Sequence, residues 1–398
     1  MSNPIRLLSR ALLIALLGAS SAEAREVAQF PFQLLDNRVF VPATLNGHGP
    51  YSFILDNGAS SWDVLQTIAQ QLNLKSGKSV NLSGAGEGQL SADLVQVKEA
   101  GLGAAIFRNE TVAAHGFSAL NNVIGFTQLD GVAGVDVFNT YVVDIDFDAR
   151  LIRLLAPQDY TPPVNAIVVP FEIYSDYLPL VQGRIGGVEG RFIVDLGDRS
   201  SLTLFGPFWR AHGMDKTLGP TLDALTGYGI GGPVRGLVVR AGHFEFGPAK
   251  VDGVVARLSL QRAGAFADPH IAGSIGTGVL KHFRVAFDFA HKRMVLVPGK
   301  SYATADALDR SGLWLGRGDN GFQVYDVIAG SPGAQAGLRV GDIVTAVDGK
   351  PAAQVDLFAL RARLSDPNGG DRIRLAYRRA QTQNIAELTL RDLLPRNG

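Results

Sequence analysis

The sequence predicts a mainly β protein made of two related lobes and a third module of different character. Three observations predict it. A thirteen-residue stretch of the first half recurs in the second half at a constant offset. Most of residues 26–300 consists of short apolar runs separated by turn residues, the pattern of strands and hairpins. After Pro298 the repeat stops and a different set of motifs begins.

The repeated stretch is FILDNGASSWDVL (53–65), which returns as FIVDLGDRSSLTL (192–204), 139 positions later. Phe53/Phe192, Ile54/Ile193, Asp56/Asp195, Gly58/Gly197, Ser61/Ser200 and Leu65/Leu204 are identical pairs. Asp and Gly are ordinary turn residues, so one apolar run ending in Asp-x-Gly would read as a strand and its turn. A second copy makes chance turns a poor account. Further on, an offset of 142 aligns Gly134 with Gly276, Val143 with Val285, Asp146-Phe147 with Asp288-Phe289 and Leu154 with Leu296. Internal repetition on this scale implies two copies of one structural unit. Each half also carries a glycine-rich patch, SGAGEGQ (83–89) and TGYGIGG (226–232), beside short apolar runs. These read as β-hairpins with mobile tips. A phosphate-cradling loop is disfavoured because no helix follows either patch.

Composition narrows the function classes. Arg6 and Arg10, an apolar run from Ala11 to Leu17, and Ala22-Glu23-Ala24 have the layout of a secretory signal peptide, assigned to residues 1–24. The chain has no cysteine, so disulfides and thiol nucleophiles are excluded and the fold must rest on its core. With 37 basic and 37 acidic residues and no basic run, a nucleic-acid partner has no electrostatic support. A soluble exported protein, periplasmic or secreted, without a stable membrane anchor after signal cleavage, is expected. The seven histidines show no pair at helical metal spacing, no Gly-x-Ser-x-Gly signature is present, and neither a metal nor a cofactor is expected.

The doubled Asp-x-Gly, the glycine-rich hairpin after each copy, and the apolar-Gly segment before each Val-x-x-Asp-Phe run resemble the retropepsin-like and pepsin-like aspartic proteases. The resemblance covers about residues 30–300 and implies two pseudo-symmetric acid-protease β-barrel lobes, at 25–159 and 160–300. It implies that Asp56 and Asp195 meet at a pseudo-twofold axis as the catalytic pair. Asn57, Gly58, Ser60, Leu196, Gly197 and Asp198 would support their loops. Gly84 and Gly86 in one half, and Tyr228 and Gly229 in the other, would belong to flaps over the substrate. Two carboxylates about 3 Å apart share one proton, the pattern for which the aspartic-protease dyad is the worked case. One member then activates water while the other polarises the amide carbonyl.

The sequence departs from the family motif, Asp-Thr/Ser-Gly, at Asn57 and Leu196. In the family those hydroxyls bond across to the opposite loop. Asn57 keeps a donor and an acceptor, whereas Leu196 has neither, and restoring a hydroxyl with Leu196→Thr is expected to keep or raise activity. Asp198 would add a third carboxylate and raise carboxyl pKa values near the pair unless Arg199 or solvent offsets it. Two functions fit: an exported aspartic endopeptidase cutting extended peptides or unfolded proteins, or an inactive protease-like peptide-binding scaffold.

Residues 301–398 form the linker and third module. Ser331-Pro332-Gly333-Ala334, Ala336-Gly337-Leu338, Gly341-Asp342-Ile343-Val344 and Val347-Asp348-Gly349 resemble a PDZ domain of the bacterial protease type. The resemblance implies capture of peptide C-termini by strand addition. Gly312, Leu313, Trp314 and Leu315 would form the carboxylate loop, with Phe358 on the helix walling the groove. Simple core packing is the other reading of Trp314 and Phe358. Residues 299–311 lack apolar periodicity and are expected to be an exposed connection, cut first in limited proteolysis.

Overall fold

A computed structural model describes residues 24–395, so the signal-peptide assignment, apart from Ala24, lies outside the described residues. The chain is mainly β, as expected. Each lobe contains an eight-stranded sheet. The first runs in the order Gln33–Leu35, Arg38–Leu45, His48–Leu55, Gly131–Ala133, Asp63–Leu65, Ala105–His115, Leu90–Leu102, Ser76–Leu82. The second runs Glu172–Tyr174, Leu178–Ile185, Val188–Asp195, Gly273–Gly276, Leu202–Leu204, Ala249–Ser259, Gly232–Phe246, Thr221–Gly229, which is the same order. In both, the second strand of the order also pairs with the seventh, so each sheet curls back on itself.

The turns explain the register. Asn46-Gly47 joins Arg38–Leu45 to His48–Leu55 with both residues at positive φ, and Gly186-Gly187 does the same in the second lobe. Two-residue turns of this kind match the twist of the strands they join. The strand they start is exposed at His48–Pro50 and buried at Phe53–Leu55, so it runs from the surface under the lobe core and delivers the chain to Asp56, the residue after its end.

A six-stranded sheet joins the lobes, three strands from each: Glu26–Pro31, Leu151–Leu155 and Val142–Asp146 against Phe283–Asp288, Arg293–Pro298 and Ile167–Pro170. At its seam Val143 pairs with Phe287, Asp144 with Ala286 and Ile145 with Val285. Because the repeat offset is 142, Asp144 faces its own counterpart and the pseudo-twofold axis passes through that pair. One apolar core is continuous across both lobes, from Val39, Phe53 and Trp62 to Phe192, Phe244 and Phe287.

The third module has its own core and sheet, with Leu313–Gly318 as an edge strand paired to Gly321–Val327. Its main helix, Leu357–Ser365, starts where the Asp356 carboxylate accepts the Ala359 N–H at 2.7 Å. Leu357, Leu360 and Leu364 lie at three- and four-residue spacing, and that face is buried.

The connection at 299–311 is exposed at residues 300, 303–305 and 307, but it is tied to the lobes rather than free to be cut first. Lys300 N–H donates to Asp148 (2.9 Å), Tyr302 hydroxyl to Lys250 O (2.6 Å) and Val255 N–H to Asp306 (2.7 Å), and Arg310 and Ser311 are buried. Hydrogen bonding fixes a segment without requiring any apolar period, which is why the pattern misled. This segment is expected to survive limited proteolysis as long as the folded lobes do, with fragment mass spectrometry as the check.

Candidate active site

Asp56 and Asp195 end equivalent strands at the floor of one cleft of about 550 Å³. Each carboxylate folds back on its own loop. Asp56 Oδ1 accepts the Gly58 N–H at 2.7 Å, and Asp195 Oδ1 accepts Gly197 N–H at 2.7 Å and Asp198 N–H at 3.2 Å. The loops are also interlocked. A Cβ on Gly58 would lie 2.5 Å from Asp195 Oδ1, and one on Gly197 would fall on the Asp56 carboxyl. Only glycine at both places leaves room for the opposite carboxyl, and the two acids are close enough to act on each other's ionisation.

The electrostatics separate the pair. Burial raises Asp56 above the usual carboxylate range, and the Gly58 N–H partly opposes it. Burial also raises Asp195, and the Asp56 and Asp198 charges then push it well above that range. Both carboxyls are pushed up, so the two do not ionise together and hold one proton between them. Asp198 itself stays low, because Arg257 (3.1 Å), Ser200 (2.5 Å) and Thr203 (2.8 Å) outweigh its burial.

Asn57 takes over the cross-loop bonds. Fully buried, it donates from Nδ2 to Val194 O at 2.7 Å and accepts the Leu196 N–H on Oδ1 at 2.8 Å. Leu196 carries no reciprocal arm. Its side chain is fully buried in the common core, and Thr277 hydroxyl caps its carbonyl at 2.9 Å. One amide thus does on one side what the family motif divides between two hydroxyls. Asn57→Ala would leave a buried N–H and C=O without partners, a loss of roughly 2–6 kcal/mol at 1–3 kcal/mol per group, measurable by denaturant unfolding. Leu196→Thr, expected to keep or raise activity, also carries a cost in stability. That change trades core volume for a hydroxyl and should lower stability in the same assay.

Beneath the loops, Gly134 and Gly276 lie directly against the backbones of residues 59–61 and 198–200, where a Cβ would collide. Above them the two glycine-rich hairpins meet. Gly86 N–H donates to Ile230 O and Gly88 N–H to Gly231 O, both at 2.9 Å, and Ala265 N–H reaches Gly84 O at 2.9 Å. A side chain at Gly86 would collide with the Gly231 backbone, so the roof closes only with glycine there. Gly84, Tyr228 and Gly229 line the cleft as part of this roof, and Ser60 is an exposed residue at its edge.

Some cleft residues carried no sequence signal. Tyr177, whose phenol is raised by burial and then by both aspartates, faces the pair. His115 and Asp63 form a buried pair 3.4 Å apart on the first-lobe side. Asp36 lies off the cleft at the centre of an ion cluster. It accepts Arg199 Nε and Nη2 at 2.7 Å each and Arg38 Nη1 at 2.6 Å, and Arg361 Nη1 lies 3.6 Å away. Those cations come from the Asp195 loop, the first lobe and the third module's helix.

In the third module Gly312 has φ +72 and packs on Ser331, while Leu313 and Leu315 are core residues. Trp314 donates its indole N–H to Val123 O at 2.8 Å, with the Arg199 and Arg361 guanidinium groups each 5.2 Å from its ring centre. Phe358 packs on Phe126, ring centres 5.8 Å apart. Both aromatics thus touch the first lobe.

Residues 41–127 match a family model described as aspartyl protease, and residues 323–379 match one described as a PDZ domain. The chain therefore carries a retropepsin-like aspartyl protease domain and a PDZ domain. No curated protein matches it. Among the described residues no helix is long and apolar enough to cross a membrane.

Proposed function

We propose that the protein is an exported aspartic endopeptidase that hydrolyses extended peptides or unfolded proteins. The observation that carries this reading is the pair of carboxyls at the cleft floor, each packed directly on the other loop's glycine. A pure binding cleft gains nothing from a strained pair of acids at its floor. The basic start and small-residue cleavage pattern at 1–24 support export.

In this mechanism a water sits between the carboxyls. With Asp56 taken as the base, it accepts a proton from the water as the oxygen attacks the amide carbon, and Asp195 donates its proton to the carbonyl oxygen. The resulting gem-diol collapses when Asp56 gives its proton to the leaving nitrogen while Asp195 takes one back from a diol hydroxyl, so the C–N bond breaks, the carbonyl re-forms and the pair is restored. The reaction needs Asp56 ionised and Asp195 protonated, so the rate falls at both pH extremes. Asp198→Asn removes a negative charge that raises Asp195 and leaves Arg257 unopposed beside it. The alkaline limb of kcat/KM against pH is expected to move to lower pH, and an unmoved limb would show that Asp198 does not tune the pair.

A transition-state mimic tests the function itself. A peptide whose scissile amide is replaced by a secondary alcohol should bind at least about 100-fold tighter than the parent amide. It should lose that advantage in Asp195→Asn. Equal affinity for alcohol and amide would leave a peptide-binding cleft without protease chemistry.

A further inference from the structure

The edge strand and helix that would receive a peptide at the PDZ domain already have an occupant. It is the first lobe's Ser118–Ile124 helix and the two residues that follow it. The end of any helix leaves carbonyls without partners. Here the PDZ domain supplies donors: Trp314 indole N–H and Arg361 to Val123 O, and Arg317 Nε to Gly125 O and Phe126 O at 2.9 and 3.1 Å. Asn122 O lies so close over Gly316 that a Cβ there would be 2.5 Å from it. Gly125, at φ +95, turns the chain where a side chain would strike Leu357.

The groove's own recognition groups are also engaged. Ser311 and Gly312 N–H groups donate to Asp309 Oδ1 at 2.9 and 2.6 Å, where a terminal carboxylate would otherwise be drawn. Arg361 Nε donates to Leu315 O at 3.1 Å, an acceptor on the edge strand that an added strand would use. Beside this closed stretch a cavity of about 520 Å³ remains, with Leu313, Phe358 and Ala362 in its wall and charges of both signs around it, Lys281 and Arg257 as well as Asp306 and Asp309. Its apolar wall suits an apolar last residue.

The occupying segment has a second face. Phe117, Ala119, Leu120 and Leu129 line the aspartate cleft, and Tyr228 of the second hairpin packs into the same cluster. The PDZ domain holds that hairpin too. Asp326 accepts the Leu225 N–H at 2.6 Å and pairs with Arg235 at 3.1 Å, one contact on each hairpin strand. The PDZ domain therefore clamps both a wall and a roof of the cleft.

We propose that a peptide C-terminus bearing a free carboxylate and an apolar last residue competes with residues 122–126 for the PDZ groove, and that its capture releases the wall helix and opens the cleft. The effect on cleavage rests on the protease reading above, whereas the competition does not. Two sites coupled through one shared element are reciprocal: what opens the cleft also frees the groove.

The test uses the full chain and a decapeptide pool randomised at its last four positions, as free acid and as C-terminal amide. Hydrogen exchange of residues 118–126 is followed together with cleavage of an internally quenched substrate amidated at its C-terminus. The free-acid pool should bind, strip protection from this segment and raise kcat/KM by roughly 10-fold, within the usual range of site coupling. The amidated pool should do neither. Arg317→Ala, which removes two clamp contacts, should raise the unstimulated rate and blunt the response. Free-acid peptide that binds without altering exchange overturns the proposal, and so does a pool that does not bind. Exchange released with no cleavage under any condition would sustain the competition while sinking the protease reading.

Discussion

Asp56→Asn and Asp195→Asn are each expected to lower kcat/KM for peptide cleavage by roughly 10⁴-fold, with the double variant scarcely worse than either single one. The reason is that the two carboxyls work as one proton-sharing unit. Removing either carboxyl leaves no ionised base, or no acid, for the shared water. Stability should move the opposite way. Both carboxyls are raised in the folded protein, Asp195 well above its ordinary value of 3.8. Such a group contributes most at low pH and loses that contribution as pH climbs through its folded value. Asp195→Asn should therefore be more stable than wild type near neutrality, with the difference vanishing below about pH 4. Denaturant midpoints at several pH values check the sign. A variant less stable at neutral pH would mean that the pair is not strained.

Asp36→Ala is expected to cost about 3–5 kcal/mol, because it strands buried cations. Asp36 is the common acceptor for Arg38 and Arg199, with Arg361 beside it, and its own side chain is 3% exposed. Burial alone would raise its pKa, but Arg199, Arg38 and Arg361 together hold it down to about 2. A depressed carboxyl stabilises above its unfolded value of 3.8, and that stability is lost as pH falls toward 2. The gap between wild type and Asp36→Ala should thus be widest at neutral pH and shrink in that acid window. The damage should also be felt at a distance, since Arg199 lies on the Asp195 loop and Arg361 on the PDZ helix. A loss confined to stability, with cleavage unchanged, would show that the cluster is scaffolding alone.

The twofold β architecture and the aspartate pair were legible because duplication writes itself twice. Asp56 and Asp195 stand out only against each other, and Gly58 and Gly197 only when both must clear a carboxyl. Other parts left no such mark. Asn57 shows a donor and an acceptor in the sequence, but that it bonds both Val194 O and the Leu196 N–H of the opposite loop is visible only in the fold. Trp314 and Phe358 are apolar whether they fill a core, line an empty groove or grip a neighbouring domain, so composition cannot separate these cases. The strap at 299–311 is fixed by backbone and carboxylate hydrogen bonds, which have no period to detect. Long-range ion clusters such as Asp36 with Arg199 join residues 163 positions apart and are invisible to local pattern.

One measurement bears most directly on the central claim that Asp56 and Asp195 form a working dyad. Cleavage of an unfolded protein is followed from acidic to neutral pH for wild type, Asp56→Asn and Asp195→Asn, with peptide binding to the cleft measured on the same samples. Wild type should cut with a bell-shaped pH dependence while both variants bind peptide and leave it intact. Equal background cleavage by all three proteins, with peptide still bound, would contradict the account.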